Sequence, residues 1–340
     1  MTRIMIDEVL AQPQAITWLP WAVQYFFFIG IAACATLLAA AARWIPRGDS
    51  LQLQRLCLFI ALTCAITAPL ALTADLHQTA RFWHFYAWPT PWSWMPWGAL
   101  FLPLFTLLLG LWFTDFHLNA LTGRRLPLNG AVAAGASLTA IGLLLYTGRE
   151  VSVVLARPLW FSYGFPVAMF MSALQALLAM LAALLRQHAA LARTLARSHI
   201  LTLALLAVIM TVWMAGDTLS GQSLRQWWRL SNDARFYMIT AVALWLLATG
   251  SALYASYRPF GSATALLLAL SAMGLSWLLR WAFLIGGQTI PKYNALANPY
   301  HLPPGTDGLL AIVGTFGLWL ALIIIVREGL SWLSRRRQHG

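Results

Sequence analysis

Charge is what this chain has least of. Asp, Glu, Lys and Arg make up only 9% of its 340 residues, against about 25% in an ordinary soluble domain. Hydrophobic residues make up 60%, more apolar surface than a soluble fold of this length could hide, so the solvent for most of the chain is lipid. Cysteine is nearly as scarce. Cys34, Cys57 and Cys64 are the only three, all in apolar stretches, and none has CxxC or CxxCH spacing. An iron–sulfur cluster takes about four thiolates, so no iron–sulfur cluster is expected in this chain, and the three read as small packing residues. None of the seven histidines sits in mid-span facing another, so no haem is expected, nor any metal site. The N-terminal stretch carries Arg3, Asp7 and Glu8 without an apolar core ahead of a cleavage site, so no secretory signal peptide is expected.

Long apolar runs are what is present. In hydrocarbon every backbone N–H and C=O needs an internal partner, which leaves helix bundles or closed barrels. Barrel strands are short and alternate, whereas stretches such as TAIGLLLYTG and LWLALIIIV are continuous. The expected fold class is all-α, a polytopic integral membrane helix bundle of about nine transmembrane helices. The spans fall near 17–42, 55–74, 95–116, 128–148, 160–185, 200–219, 236–257, 263–286 and 307–326.

The net charge is +12, and Lys292 is the only lysine. In a soluble protein that balance would point to nucleic acid. Here the arginines cluster in alternate loops, which makes them a topology signal, and no nucleic-acid partner is expected. One set of loops is short and basic, with Arg43, Arg47 and Arg55, then Arg124 and Arg125, then Arg186, Arg193 and Arg197, then Arg258, and at the end Arg335, Arg336 and Arg337. The positive-inside rule places these in the cytoplasm, the N-terminus outside (periplasmic) and the C-terminus inside, which requires an odd number of spans. A faint repeat sets Asp75, Arg81 and Trp83 after the second span beside Asp217, Arg225 and Trp227 after the sixth. The expectation is a single transmembrane domain over 1–340, with repeat halves 17–148 and 160–286 forming two four-helix bundles and an extra helix at 307–326.

The outer loops are longer and rich in Trp, Pro and Tyr. The densest, DLHQTARFWHFYAWPTPWSWMPWG, holds Trp83, Trp88, Trp92, Trp94 and Trp97. An interfacial belt explains one or two per helix end; this crowding suggests an ordered cap, a ligand pocket or a docking face. Ionisable groups at membrane depth are costly and are functional candidates by default. They gather near the outer ends as Asp75 with His77 and Arg81, then Tyr146, Arg149 and Glu150, then Arg157 beside Trp160, with Asp217, Arg280 and Asp307 near the outer ends of other spans. The plainer reading of Asp75 is a helix cap or an ion pair between loops. Oxidising a quinol calls for a proton acceptor such as His or a carboxylate, a hydroxyl donor for the ring oxygen, and aromatic walls. Asp75, His77, Tyr146 and Trp160 supply those types.

At these residues the sequence resembles the polysulphide reductase/NrfD family of membrane anchors, and within it the tetrathionate branch. The resemblance rests on WLPWAVQYFFFIGIAA, TADLHQTARFWHFYAWPTPWSWMPWGALFLPLF, YTGREVSVVLARPLWFSY, GDTLSG and TDGLLAIVGTFGLW, and it runs over nearly the whole chain. It implies a quinol-oxidising subunit of the bacterial inner membrane, with menaquinol the implied quinol. The implied partners are a periplasmic ferredoxin-like iron–sulfur subunit and a molybdopterin catalytic subunit that reduces tetrathionate to thiosulfate in anaerobic respiration. This chain would not itself carry the sulfur-compound reductase site. By the same resemblance the quinone site lies near the periplasmic face of the first four helices. Tyr146 matches the Tyr of the family's Tyr-Thr-Gly, and Asp75 its acidic position after the second helix. Together with the groups read from the loops themselves, the candidate site is Asp75 and His77 as catalytic groups, with Tyr146, Arg81, Trp83, Glu150, Trp160 and Gln24 around the quinol.

One departure stands out: family members offer Asn and His from the start of the first helix, and residues 1–30 here contain neither. Trp18, Trp21, Gln24 or Tyr25 would stand in, or His77 from the next loop. Two other readings of the chain stay open at this point. A small-anion secondary transporter would place polar groups and broken helices at mid-bilayer, where this sequence has few. A purely structural anchor would use the Trp-rich loops only for docking.

Overall fold

An apolar segment in lipid closes its backbone hydrogen bonds internally, and the chain does so as helix. The computed structural model describes residues 16–46, 48–76, 78–123, 127, 129–290 and 298–339. Arg47, His77, Arg124, Arg125 and Lys292 lie outside the described residues, as do Arg3, Asp7 and Glu8. Among the described residues nine helices are long and apolar enough to cross a membrane. They are α1 (Pro20–Trp44), α2 (Ser50–Asp75), α3 (Met95–Thr122), α4 (Asn129–Ser152), α5 (Gly164–Leu184), α6 (Ala189–Ala215), α7 (Asn232–Tyr257), α8 (Ser262–Thr289) and α9 (Leu309–His339). Short helices at Thr79–Arg81, His84–Ala87 and Leu219–Leu230 ride on one end of the bundle. That end, which carries the tryptophans, is called the aromatic end below, and the opposite one the basic end.

Helices α1 to α4 pack as one ring and α5 to α8 as a second, while α9 lies against α2 and α1. The rings meet where α1 touches α5 and α8, and where α4 touches α5. Helix α1 is therefore central: 83% of its apolar window is buried by protein, against 17% in α7 and α9, which face lipid. Its small residues, including Gly30, Ala32, Ala33 and Ala35, let neighbouring backbones approach, the usual means of helix association where lipid removes a hydrophobic drive.

Arg280 of α8 is buried at the junction between the rings. Its Nε donates to Phe26 O (2.9 Å), Nη1 to Ser172 Oγ (3.0 Å), Ser276 Oγ (2.7 Å) and Ser276 O (2.8 Å), and Nη2 to Met169 O (3.1 Å). One guanidinium thus ties α1, α5 and α8 together, each of its three nitrogens donating to a neutral acceptor.

The helices outrun the apolar runs that mark them. Helix α2 begins at Ser50, α3 continues to Thr122, and α6 starts at Ala189 through the polar segment before residue 200. The added turns carry polar residues that hydropathy leaves out, some exposed as Arg193 and Thr194 are and some buried as Gln54 and His199 are, while the backbone still gains from staying helical. Two boundaries move inward by about one helical turn. Helix α5 begins at Gly164, leaving 153–163 in turns, and α6 ends at Ala215, after which Leu219–Leu230 forms a separate amphipathic helix.

Candidate functional site

Proline sets up the local geometry at the aromatic end. Pro103 lies inside α3 and has no N–H to give, so the carbonyl one turn back, Ala99 O, lacks its helical donor. Tyr86, on the short His84–Ala87 helix, supplies one: its hydroxyl donates to Ala99 O at 2.9 Å. That bond folds the aromatic segment over the ends of the first helix ring. Beneath it lies a cavity of about 260 Å³, bordered by Phe82, Phe85 and Tyr86 above, Trp18, Tyr25 and Phe26 of the first-helix region, Asp75 of α2, Met95 and Gly98 of α3, and Tyr146 and Glu150 of α4.

The polar groups converge on this space. Tyr146 and Glu150 are four residues apart on one face of α4, and their side chains interact. Glu150 also acts electrostatically on Tyr25 and feels Asp75, so two carboxyls and two phenols share one neighbourhood. Asp75 Oδ1 accepts from Leu19 N at 3.3 Å, at the N-terminus of α1, a favourable place for an acid. Tyr25 is fully buried, and its hydroxyl has no hydrogen-bond partner among the described residues. Gly98 makes room for Tyr146, because a Cβ there would fall inside the tyrosine ring.

A second layer holds the aromatic wall. Trp18 lies 5.0 Å from Trp160 between ring centroids. Trp160 Nε1 donates to Phe283 O at 2.7 Å, a carbonyl in the π-helical turn Ala282–Gly286 of α8. Such a turn loosens the backbone ladder and frees carbonyls for outside donors. Gly287 is required here, since a Cβ would clash with Trp160 Nε1. Just beyond, Gln288 clamps the start of the chain. Its Oε1 accepts from Thr17 N and Trp18 N at 3.1 and 3.2 Å, and its Nε2 donates to Trp18 O and Leu284 O, both at 3.0 Å. Arg157 Nη1 donates to Gln288 O at 3.0 Å. Partial burial lowers the Arg157 pKa from the ordinary arginine value, because desolvation disfavours the cation.

Of the residues marked in the sequence, Asp75, Tyr146 and Glu150 border the cavity, and Trp160 stands one ring behind it. His77 lies outside the described residues. Arg81 is at the exposed rim, donating to Gln78 Oε1 at 2.9 Å, and Trp83 is exposed beside His84 and Trp88. Gln24 is buried elsewhere: it donates to Ile312 O and Thr315 Oγ1 of α9 and accepts from Trp277 Nε1 of α8. Of the stand-ins on the first helix, Trp18 and Tyr25 border the cavity and Trp21 does not. Asp217 is almost wholly exposed and pairs with Arg225 at 3.7 Å. In the second ring Trp213 and Phe283 stack at 5.0 Å and fill the interior at the aromatic end. Tyr86, Gly98 and Gln288 carry no mark in the sequence that singles them out. Among the described residues no three His, Cys, Asp or Glu side chains come together as a metal site.

Comparison with known proteins gives three findings. A family model described as "Polysulphide reductase, NrfD" matches residues 8–292. The chain is 56% identical to the C subunit of tetrathionate reductase from Salmonella typhimurium over 337 residues, 99% of each chain. It is 27% identical over 193 residues to the C subunit of selenate reductase from Mesobacillus selenatarsenatis, covering 46% of this chain and 45% of the other.

Proposed function

The chain belongs to the polysulphide reductase NrfD family, and from that premise we propose that it is the quinol-oxidising membrane subunit of a tetrathionate reductase. It is a multi-pass membrane protein, placed by this reading in the bacterial inner membrane. One observation carries the assignment: a cavity at the end of the first helix ring gathers Asp75, Glu150, Tyr25 and Tyr146 against aromatic walls.

The residues fit a quinol ring. A buried hydroxyl left without a partner costs about 1–3 kcal/mol, and Tyr25, which borders this cavity, carries one; a ring oxygen brought within its reach would satisfy it. About 260 Å³ is at the small end of ligand pockets, which suits a headgroup whose isoprenoid tail stays in lipid. Oxidation releases two protons and two electrons. Tyr146 and Tyr25 orient the ring oxygens, and Asp75 and Glu150 stand where each can accept a proton as an O–H bond breaks. The electrons leave to an iron–sulfur partner docked over the aromatic end, and from there to a molybdopterin subunit that reduces tetrathionate. In this reading His77 is a further catalytic group, Arg81 and Trp83 belong to the rim of the site, and Trp160 supports it from behind. Menaquinol is the proposed quinol.

In the assembled complex, Tyr146→Phe and Glu150→Gln should each lower quinol-driven tetrathionate reduction about tenfold or more, roughly 1.4 kcal/mol. Reduction driven by a water-soluble dye feeding the partner subunits should be unchanged. Quinol-driven rates equal to wild type in both variants would remove the site assignment.

A further inference from the structure

At the basic end, Arg186 follows α5, Arg193 lies in the first turns of α6, and Arg258 follows α7. Two of the three come from the α5–α6 connection and the third from α7–α8, yet they border one cavity of about 110 Å³ together with Pro259 and Phe260. No acidic residue borders it. Arginines that only set topology need not converge, and like charges brought together without a counter-charge repel. Arg186 Nη2 reaches Ser262 Oγ at 3.5 Å and Arg193 Nε reaches Ala189 O at 3.1 Å, both neutral acceptors. Arg258 makes no side-chain hydrogen bond or ion pair among the described residues. Helices α6 and α8 both begin beside the cavity, and neither has a side-chain cap. Their first-turn N–H groups and positive dipole ends add to the anion-attracting field.

We propose that this cavity binds the phosphate of an anionic phospholipid. The ligand chemistry is a phosphate oxyanion held by guanidinium forks. Its position decides the source. The cavity lies where spans end, at headgroup level, and the neighbouring side chains Tyr257, Leu184 and Leu266 are 76%, 53% and 60% exposed, facing lipid. Basic pockets between transmembrane helices are suited to such headgroups. The lipid would fasten α5–α6 to α7–α8 on the side of the second ring remote from the proposed quinol cavity, and the proposal does not depend on that cavity.

The test is native mass spectrometry of the full chain in detergent, titrated separately with phosphatidylglycerol, phosphatidylcholine and inorganic phosphate. Wild type should bind phosphatidylglycerol about tenfold or more tightly than phosphatidylcholine. The double variant R193Q/R258Q should lose that preference, while Arg197→Gln, an exposed arginine outside the cavity, should keep it. Equal binding of the two lipids by wild type would overturn the proposal, as would an unchanged preference in R193Q/R258Q. Inorganic phosphate that binds as tightly as the anionic lipid and displaces it would assign the site to a free anion instead. Should the double variant fail to fold, the wild-type preference alone decides.

Discussion

Tyr146 and Gly98 make the sharpest statement at the scale of single residues. The phenol occupies the space that any side chain at position 98 would need, so Gly98→Ala must push Tyr146 off its place beside Glu150. Overpacking of this kind costs about 1–3 kcal/mol. The quinol KM of the assembled complex should therefore rise roughly five- to a hundredfold, with dye-driven turnover unchanged; an unaltered KM would mean that Tyr146 does not contact the ring. Asp75, Tyr146 and Glu150 were legible in the sequence because ionisable groups at membrane depth stand out against an apolar background. Tyr25 stood out only as one of several stand-ins on the first helix, and Tyr86 and Gly98 not at all, since an aromatic in a crowded loop or a glycine in a span reads equally as packing. Gln24 drew attention for the same polarity, yet its amide is taken up by Ile312, Thr315 and Trp277. Polarity in a span marks a residue with a task, without saying whether the task is a ligand or a neighbouring helix.

At the scale of elements, the π-helical turn in α8 organises the wall from outside the first ring. Phe283 O holds Trp160, and Gln288 holds Thr17 and Trp18. Removing the clamp with Gln288→Leu should loosen Trp18 and raise the quinol KM severalfold, with little change in the amount of protein in the membrane. Quinol kinetics unchanged in this variant would show that Trp18 is placed by other contacts. None of this could be read from AFLIGGQT, which continues an apolar run without a break. The helix ends were similarly hidden, because hydropathy marks where lipid begins and not where helical hydrogen bonding stops. The tie between Pro103 and Tyr86 has a signal in principle: a proline within a span announces a carbonyl in want of a donor, although the donor's identity depends on the folded loop.

For the whole molecule, the succession of apolar runs was the most readable feature, since a spanning helix needs about 20 apolar residues. The nine spanning helices among the described residues follow the apolar runs, and they close into two rings with α9 against α1 and α2. The packing order of the helices came only with the structure, because residues such as Ala33 and Ala65 carry no partner information by themselves. We expect the N-terminus in the periplasm and the C-terminus in the cytoplasm. A fluorescent protein that matures only in the cytoplasm, fused after Gly340, should shine, and alkaline phosphatase at the same place should be inactive. The reverse pattern would invert the molecule and put the proposed quinol cavity on the wrong side for a periplasmic partner.

The most direct test of the central claim, that the cavity at the aromatic end holds quinol, is fluorescence titration of the purified subunit with a quinol analogue, wild type against Asp75→Asn. Saturable binding by wild type that weakens about tenfold or more in the variant, roughly 1.4 kcal/mol, is the predicted result. Equal affinity in the two proteins, or no saturable binding by wild type alone or in complex with its iron–sulfur partner, would contradict it.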